Sequence, residues 1–473
     1  MLRLLKASVA LWGSMGVGVL MAQSVKPLPD APASRLLAAA NAPSEMEADT
    51  SRPATAQANP GGQAQNQQLT RVEAEQMAMR NNPRVSVARL VALAQHQVVR
   101  ETQAAELPTG TASITAVEAE DATRISAGSL TASRLFTHAG VGGGFTQLLF
   151  DFGRTRNLVA SSKLQERAQN AAALATTEDI VLATDQAFYN ALQAQALLKV
   201  AQQNVDTRQT TETQVSQLTR NNLKSILDLS FADVNLSQGK LLLLDAQNNA
   251  ESTMAALDAV LGLDHQVTYD LVESNTPLQP PPQDPDQLIQ LGLRQRPDLR
   301  QLNYSAQSAA KFSRAQRDQM FPTISAAGTA GSVPIHPAQY YTTNWWGGIG
   351  VNMNIPVFNG FLYSAQAKEA AIRAEAASEQ SRNLRDQIVR DIRTAWLSAN
   401  TAFQRVAVTA ELLKQADLSL KLAQTRYQMG LSSIVELTQA QLNVTEAEIE
   451  NLSAKYDYQI QNAGLQYSVG GLR

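Results

Sequence analysis

Four histidines, one glycine-rich run and forty-two carboxylates are the groups in this 473-residue chain that could do chemistry. Histidines grouped with one another or with carboxylates at metal-ligand spacing would bind a metal or move protons. His96, His138, His265 and His336 are scattered and lack a ligand-spaced carboxylate, so each reads as a surface or loop residue. Gly140-Val141-Gly142-Gly143-Gly144 could cradle a phosphate, but no Lys-Ser/Thr follows it and strand-like residues do. There is no cysteine, which removes thiol chemistry, cysteine metal sites, disulfides and a lipoprotein anchor. The chain therefore reads as no enzyme, with no cofactor and no metal site. Two carboxylates stand out by position only: Asp228 and Glu436 lie 208 residues apart, each just after a turn, where a carboxylate satisfies a helix N-terminus.

That spacing belongs to a larger pattern. At an offset of 214, Pro83 falls on Pro297, Pro108 on Pro322, Thr109 on Thr323 and Ala112 on Ala326. At 208, Leu223, Ser225, Ile226, Leu229 and Ala232 fall on Leu431, Ser433, Ile434, Leu437 and Ala440, and Gly262 meets Gly470. Solenoid units run to roughly 20–50 residues, so this period means two copies of one structural unit. The copies are bounded as 69–268 and 284–473, joined by a proline-rich linker, 269–283.

Composition excludes other classes. Thirty-nine basic against 42 acidic residues give a net charge of −3, no footprint for nucleic acid. Arg3 and Lys6, the apolar stretch Ala7–Leu20 and the small Ala22 make residues 1–22 a signal peptide. Residues 23–68, rich in Pro, Ala, Gln and Gly, read as a disordered lead-in.

Each copy opens on a helix start: Thr70 with Glu73 as a capping box, then Asp284 with Pro285 and Gln287. The helices should run to about Leu107 and Phe321, stopped by Pro108 and Pro322. Strands follow. Gly348–Ile355 alternates apolar residues with glycine or asparagine, Val141–Thr146 answers it more weakly, and Thr109–Ala116 and Thr323–Ala330 are their partners. Tyr340, Tyr341, Trp345 and Trp346 crowd just before the best strand, and such rings favour a membrane–water interface. Proline-free stretches from Gly153 to about Leu218 and from Phe361 to Met429 would each make a helix of about 100 Å. In the second, Trp396, Ala399, Phe403, Val406, Ala410, Leu413, Ala416, Leu420, Ala423 and Tyr427 give coiled-coil spacing. The last helix carries two seams, Leu437–Ala440–Val444–Ala447–Asn451–Ala454–Tyr458 and Leu442–Ile449–Leu452–Tyr456. Two seams suit a helix with neighbours on both sides, as in the wall of a tube. Four strands cannot close a barrel, and open edges are untenable in lipid, but three chains would pool about twelve.

At this point the chain resembles the TolC-like outer membrane efflux protein (outer membrane factor) family, over about residues 68–473. The likeness rests on the tandem repeat, on Phe150-Asp151-Phe152-Gly153-Arg154 with Val357-Phe358-Asn359-Gly360, and on the turn Tyr427-Gln428-Met429-Gly430-Leu431-Ser432-Ser433. The resemblance implies a mostly α protomer with a small transmembrane β portion. It implies a homotrimer whose 12-stranded β-barrel continues into a long periplasmic α-helical coiled-coil tunnel. It further implies an outer-membrane exit duct of a tripartite efflux or type I secretion system. Such a duct sits in outer membrane lipid and docks with a periplasmic membrane fusion (adaptor) protein and an inner-membrane pump of RND or ABC type. A structural or adhesive surface coiled coil is the alternative, but it leaves the strands, the aromatic cluster and the duplication unexplained.

The resemblance also distributes roles. The turns Asn221–Ser225 and Met429–Ser433 become periplasmic tips, with Asn222, Leu223, Gly430, Leu431 and Ser432 as adaptor contacts. Asp228 and Glu436 become rings of negative charge at an aperture, and Tyr427 with Asp228 a latch. This sequence departs from the family at Gln439, where a second acid is expected, and at Ser432, where a basic latch residue is expected. A less acidic aperture and a weaker lock follow.

Overall fold

The computed structural model describes residues 67–118, 124–127, 130–134, 138–265, 267, 269–273, 277–332 and 345–472. The signal peptide, nearly all of the lead-in, and Tyr340 and Tyr341 lie outside the described residues. Two lead-in residues do not fit that reading: Gln67–Leu69 forms a short strand, β1. Leu69 is buried, and β1 pairs in parallel with β6, introduced below, so burial and a strand partner order this end of the segment.

The capping box at Thr70 and Glu73 starts α1, Arg71–Asn81. The single helix expected to about Leu107 is two, because α2 begins anew at Pro83 and runs to Ala104. Asn82 is extended (φ −66°, ψ 122°), as a residue before proline is forced to be, and its side chain caps α2. Strands β2, Thr109–Val117, and β5, His138–Phe150, flank a hairpin of β3, Arg124–Ala127, and β4, Leu130–Arg134, that periodicity did not reveal. The 67-residue helix α3, Arg154–Arg220, and the 36-residue α4, Ile226–Leu261, form the first long hairpin. After β6, Tyr269–Leu271, the order returns: α5, Pro285–Gln295; α6, Pro297–Asp318; β7, Thr323–Ser332; β8, Trp346–Asn354; α7, Leu362–Gln428; and α8, Ile434–Val469. The second opening helix is also split, at Arg296–Pro297, for the same steric reason. Helices α7 and α8 are again 67 and 36 residues long.

The sheet has the order β2-β5-β7-β8, every pair antiparallel, with β2 and β8 as open edges. Its register separates the residues by chemistry. Ile114 opposes Val141, and Phe145, Gly328 and Ile349 make one row, so these residues share a face with Val351 and Met353. Thr111, Ser113, Thr146, Thr329, Asn352 and Asn354 line the opposite face. Gly328 is required here: a Cβ would stand 2.3 Å from the Phe145 ring. The apolar face is uncovered, with Ile349 at 80% and Val351 at 69% exposure.

Helix α3 packs against α4, α6, α2 and α8, and α7 packs against α8, α6 and α5. One core gathers Phe188, Leu192, Leu257, Leu261 and Tyr456, and another Ile289, Leu299, Ile388, Ile392 and Leu465. The first α8 seam, from Leu437 to Tyr458, is buried at every position. The α7 seam holds at Ala399, Ala416 and Ala423, but Thr409 is buried and Ala410 exposed. The phase shift therefore falls a turn earlier than the apolar pattern suggested, because the Thr409 hydroxyl can accept from Asn451 of α8 at 3.2 Å. The linker is held across the helices. Tyr458 of α8 donates to the Gln279 carbonyl, and Trp396 Nε1 of α7 donates to the Pro282 carbonyl at 2.7 Å.

Candidate functional site

Three features could carry function: the apolar sheet face, the two hairpin ends, and the seam between the hairpins. At the ends, Asn222 (φ 58°) and Gly430 (φ 73°) take the left-handed conformation that reverses the chain. The N–H groups of Leu223 and Leu431 close the turns onto the carbonyls of Leu218 and Arg426, both at 2.8 Å. Leu223 and Leu431 themselves project into solvent. Ser432 is half-buried, and its hydroxyl has no hydrogen-bond partner among the described residues.

Ser225 and Ser433 cap α4 and α8, but the two acids beyond them are used differently. Asp228 closes a capping box, its Oδ2 accepting from the Ser225 N–H and hydroxyl, each at 3.1 Å. Glu436 reaches Arg426 Nε at 3.4 Å across the turn. The Tyr427 hydroxyl is buried without a hydrogen-bond partner among the described residues, and no hydrogen bond joins it to Asp228. Burial lifts this phenol above its ordinary range, and the nearby charge of Asp228 adds to the rise. Lys224 Nζ lies 4.3 Å from the Tyr427 ring centroid, a cation–π contact between the two hairpins. Gln439 is exposed and donates to Asn443 Oδ1 at 2.9 Å. Just above the tips, Val215 and Ala232 of the first hairpin cluster with Ile434 and Leu437 of the second.

At the other end, Trp345 and Trp346 are exposed at the start of β8. His96 Nδ1 lies 2.8 Å from Glu166 Oε1, and His265 sits beside Asp264 at the surface. Among the described residues no three His, Asp or Glu come together to hold a metal ion, and no helix is long and apolar enough to cross a membrane.

The second α8 seam departs from its apolar expectation. Tyr456 is buried, but Leu442 is exposed, and Gln441 and Thr445 are buried in its stead. The reason is the neighbour: α3 presents polar side chains to α8. Gln441 Nε2 donates to Thr211 Oγ1 at 3.2 Å, Asn204 donates to Thr445, Gln193 Nε2 donates to Ser453 Oγ at 3.0 Å, and Tyr467 donates to Asp179 at 2.5 Å. Gln441 also accepts from Asn235 Nδ2 of α4 at 3.0 Å. Behind Asn235, Arg208 Nη1 donates to its backbone carbonyl at 2.7 Å. Arg208 is only 4% exposed and, among the described residues, has no carboxylate partner and leaves Nε unsatisfied; burial lowers its proton affinity. Apolar periodicity could not reveal this group; a polar i, i+4 pair, Gln441 and Thr445, was the available signal.

Comparison with known proteins agrees with this architecture. The profile of the family described as "Outer membrane efflux protein" matches residues 74–263 and 288–471. Outer membrane protein TolC of Salmonella enteritidis is 23% identical over 338 residues, 69% of this chain and 68% of that protein. Outer membrane efflux protein BepC of Brucella suis is 22% identical over 360 residues, 73% of this chain and 75% of that protein. Among solved structures, the Campylobacter jejuni CmeC outer membrane channel superimposes with a TM-score of 0.75 at 16% identity. That superposition covers 91% of this chain and 94% of CmeC.

Proposed function

The chain belongs to the outer membrane efflux protein family and serves efflux at the outer membrane, and from that premise we propose that three copies assemble into one exit duct. The observation that carries this reading is the two-faced, four-stranded sheet with two open edges. A sheet with an apolar face and unpaired edges is tolerated in lipid only when its edges are joined, and three copies would join twelve strands into a closed barrel. Ile349, Val351 and Met353 would then face acyl chains, and the threonine, glycine and asparagine face would line the lumen. Trp345 and Trp346, with Tyr340 and Tyr341, would form the aromatic girdle. The 67-residue helices would extend about 100 Å into the periplasm as a tunnel wall.

The tandem repeat, 69–268 and 284–473, is supported by helices of matching length in the same order. An export signal over 1–22 fits an outer-membrane destination. Exposed Leu223 and Leu431, with Asn222, Gly430 and Ser432, are the proposed contacts for a periplasmic adaptor protein. Through the adaptor the duct would serve an inner-membrane pump. Asp228, Tyr427, Glu436 and Gln439 would ring the aperture, where charges brought together by a threefold axis favour cations.

Purification from outer membranes and planar-bilayer recording test the reading. Trimers that conduct ions are the expected result. A soluble, non-conducting single subunit would overturn it.

A further inference from the structure

We propose that the cleft bordered by α5, α6 and α7 binds a soluble organic dianion, its charge carried on phosphate or carboxylate oxygens. The cleft encloses about 440 Å³, within the range of about 300–1,000 Å³ that small-molecule sites occupy. Three guanidinium groups line it, Arg294 from α5 and Arg382 and Arg385 from α7, in a chain whose acidic residues outnumber its basic ones. Ser378, Arg382 and Arg385 follow at steps of four and three, and Ser381 precedes Arg385 by four, so all sit on one face of α7. Like charges at such spacing weaken a helix, and Arg294 adds a third from across the cleft. A concave surface lined by one sign of charge focuses its field on what enters.

The groups on offer are donors. A guanidinium carries only N–H groups, arranged as a fork that fits two oxygens of a phosphate or carboxylate. Ser381 Oγ donates to Asn303 Oδ1 at 2.7 Å, which occupies that amide's acceptor and leaves its N–H donors without a partner among the described residues. No carboxylate lines the cleft. Arg382 Nη1 lies 3.7 Å from Glu379 Oε2, both side chains being well exposed, and among the described residues Arg294 and Arg385 pair with no acid. Three positive charges less the one of Glu379 leave two, which a dianion would match. A second cleft bordered by α6, of about 310 Å³, differs: there Arg296 meets Asp298 at 2.5 Å, and Glu178 and Asp179 line the wall too. Ser378 to Arg385 lie roughly 25–35 Å along α7 from its sheet end. On the duct reading, on which the inference rests at this point alone, that height is in the periplasm well past the lipid headgroups, so the occupant comes from solution.

Calorimetric titration of purified trimers with pyrophosphate, succinate and acetate tests the site. Pyrophosphate or succinate should bind roughly tenfold or more tightly than singly charged acetate, and the tighter of the two tells phosphate from carboxylate recognition. Arg294→Gln and Arg385→Gln should each weaken that binding roughly ten- to a hundredfold, the loss of one charged hydrogen-bonding group. Both positions are exposed, so neither change disturbs the core. Arg385→Lys keeps the charge but loses the fork, and should fall between Arg385→Gln and wild type. Arg373→Gln, on α7 outside the cleft and paired with Glu369 at 2.7 Å, should bind as wild type does. Equal affinity for acetate and the dianions, or undiminished affinity in the glutamine variants, would overturn the site. If one glutamine variant forms no trimers, the other decides, since they lie on different helices. Trimers that conduct ions but bind no dianion would refute the cleft and leave the duct standing.

Discussion

Replacing Asp185 by asparagine isolates a single buried charge. Asp185 of α3 is 0% exposed and accepts from Arg71 Nη1 of α1 at 3.1 Å. The same nitrogen lies 3.2 Å from Glu75 Oε1, so one guanidinium serves two carboxylates. Asp185 Oδ1 and Glu75 Oε1 are each buried without a hydrogen-bond partner in the described structure. Burial first, then the neighbouring Glu75 carboxyl, push the Asp185 carboxyl from 3.8 up to about 7, against the pull of Arg71. An acid whose folded-state proton is held this tightly contributes its full stability below the unfolded value of 3.8 and loses it as pH rises towards about 7. At about 1.4 kcal/mol per pH unit, that window is worth roughly 4 kcal/mol. Asparagine keeps a neutral acceptor for Arg71 and carries no titrating proton. Thermal melts followed by circular dichroism from pH 4 to 8, at fixed ionic strength, should show little difference between Asp185→Asn and wild type at pH 4. The variant should gain several degrees by pH 7.5. A gap that is the same at every pH, or a variant that melts lower at neutral pH, would refute the reasoning.

Three further outcomes are expected. Gly262→Ala forces a side chain into φ 74° with its Cβ 2.8 Å from the Asn81 carbonyl, and should cost about 1–3 kcal/mol, read as a lowered melting temperature. Asp228→Ala with Tyr427→Phe should raise single-channel conductance in planar bilayers; an unchanged value would retire both residues from the aperture. Leu223→Asp with Leu431→Asp should abolish crosslinking of the tips to an adaptor while trimers persist on gels, and undiminished crosslinking would remove the tips from the docking surface.

Several elements could be read from the chain because local chemistry and long-range packing agree there. Thr70 and Glu73 form their capping box, the turns at Asn222 and Gly430 are left-handed, and the seam from Leu437 to Tyr458 is buried at each step. Other features were hidden for physical reasons. The breaks at Asn82 and Arg296 needed the steric effect of the next proline, which periodicity does not weigh. Their docking against Gly262 and Gly470 is tertiary. The burial of Gln441 and Thr445 depends on what α3 offers from more than two hundred residues away, and polar side chains facing polar side chains leave no hydrophobic period. The fates of Asp228 and Glu436 also diverge by side-chain length: aspartate folds back on its own cap, while glutamate spans the turn to Arg426.

The unpaired margins of β2 and β8 carry a genetic consequence. In the proposed ring each copy would lend its strands to neighbours on either side, so a lesion at one margin would be inherited by every ring that recruits that copy. Where sound and damaged copies are made in equal amounts and drawn at random in threes, only about one ring in eight would be free of the defect. Alleles that spoil these margins should therefore be dominant over the wild type, while alleles that merely prevent synthesis should be recessive.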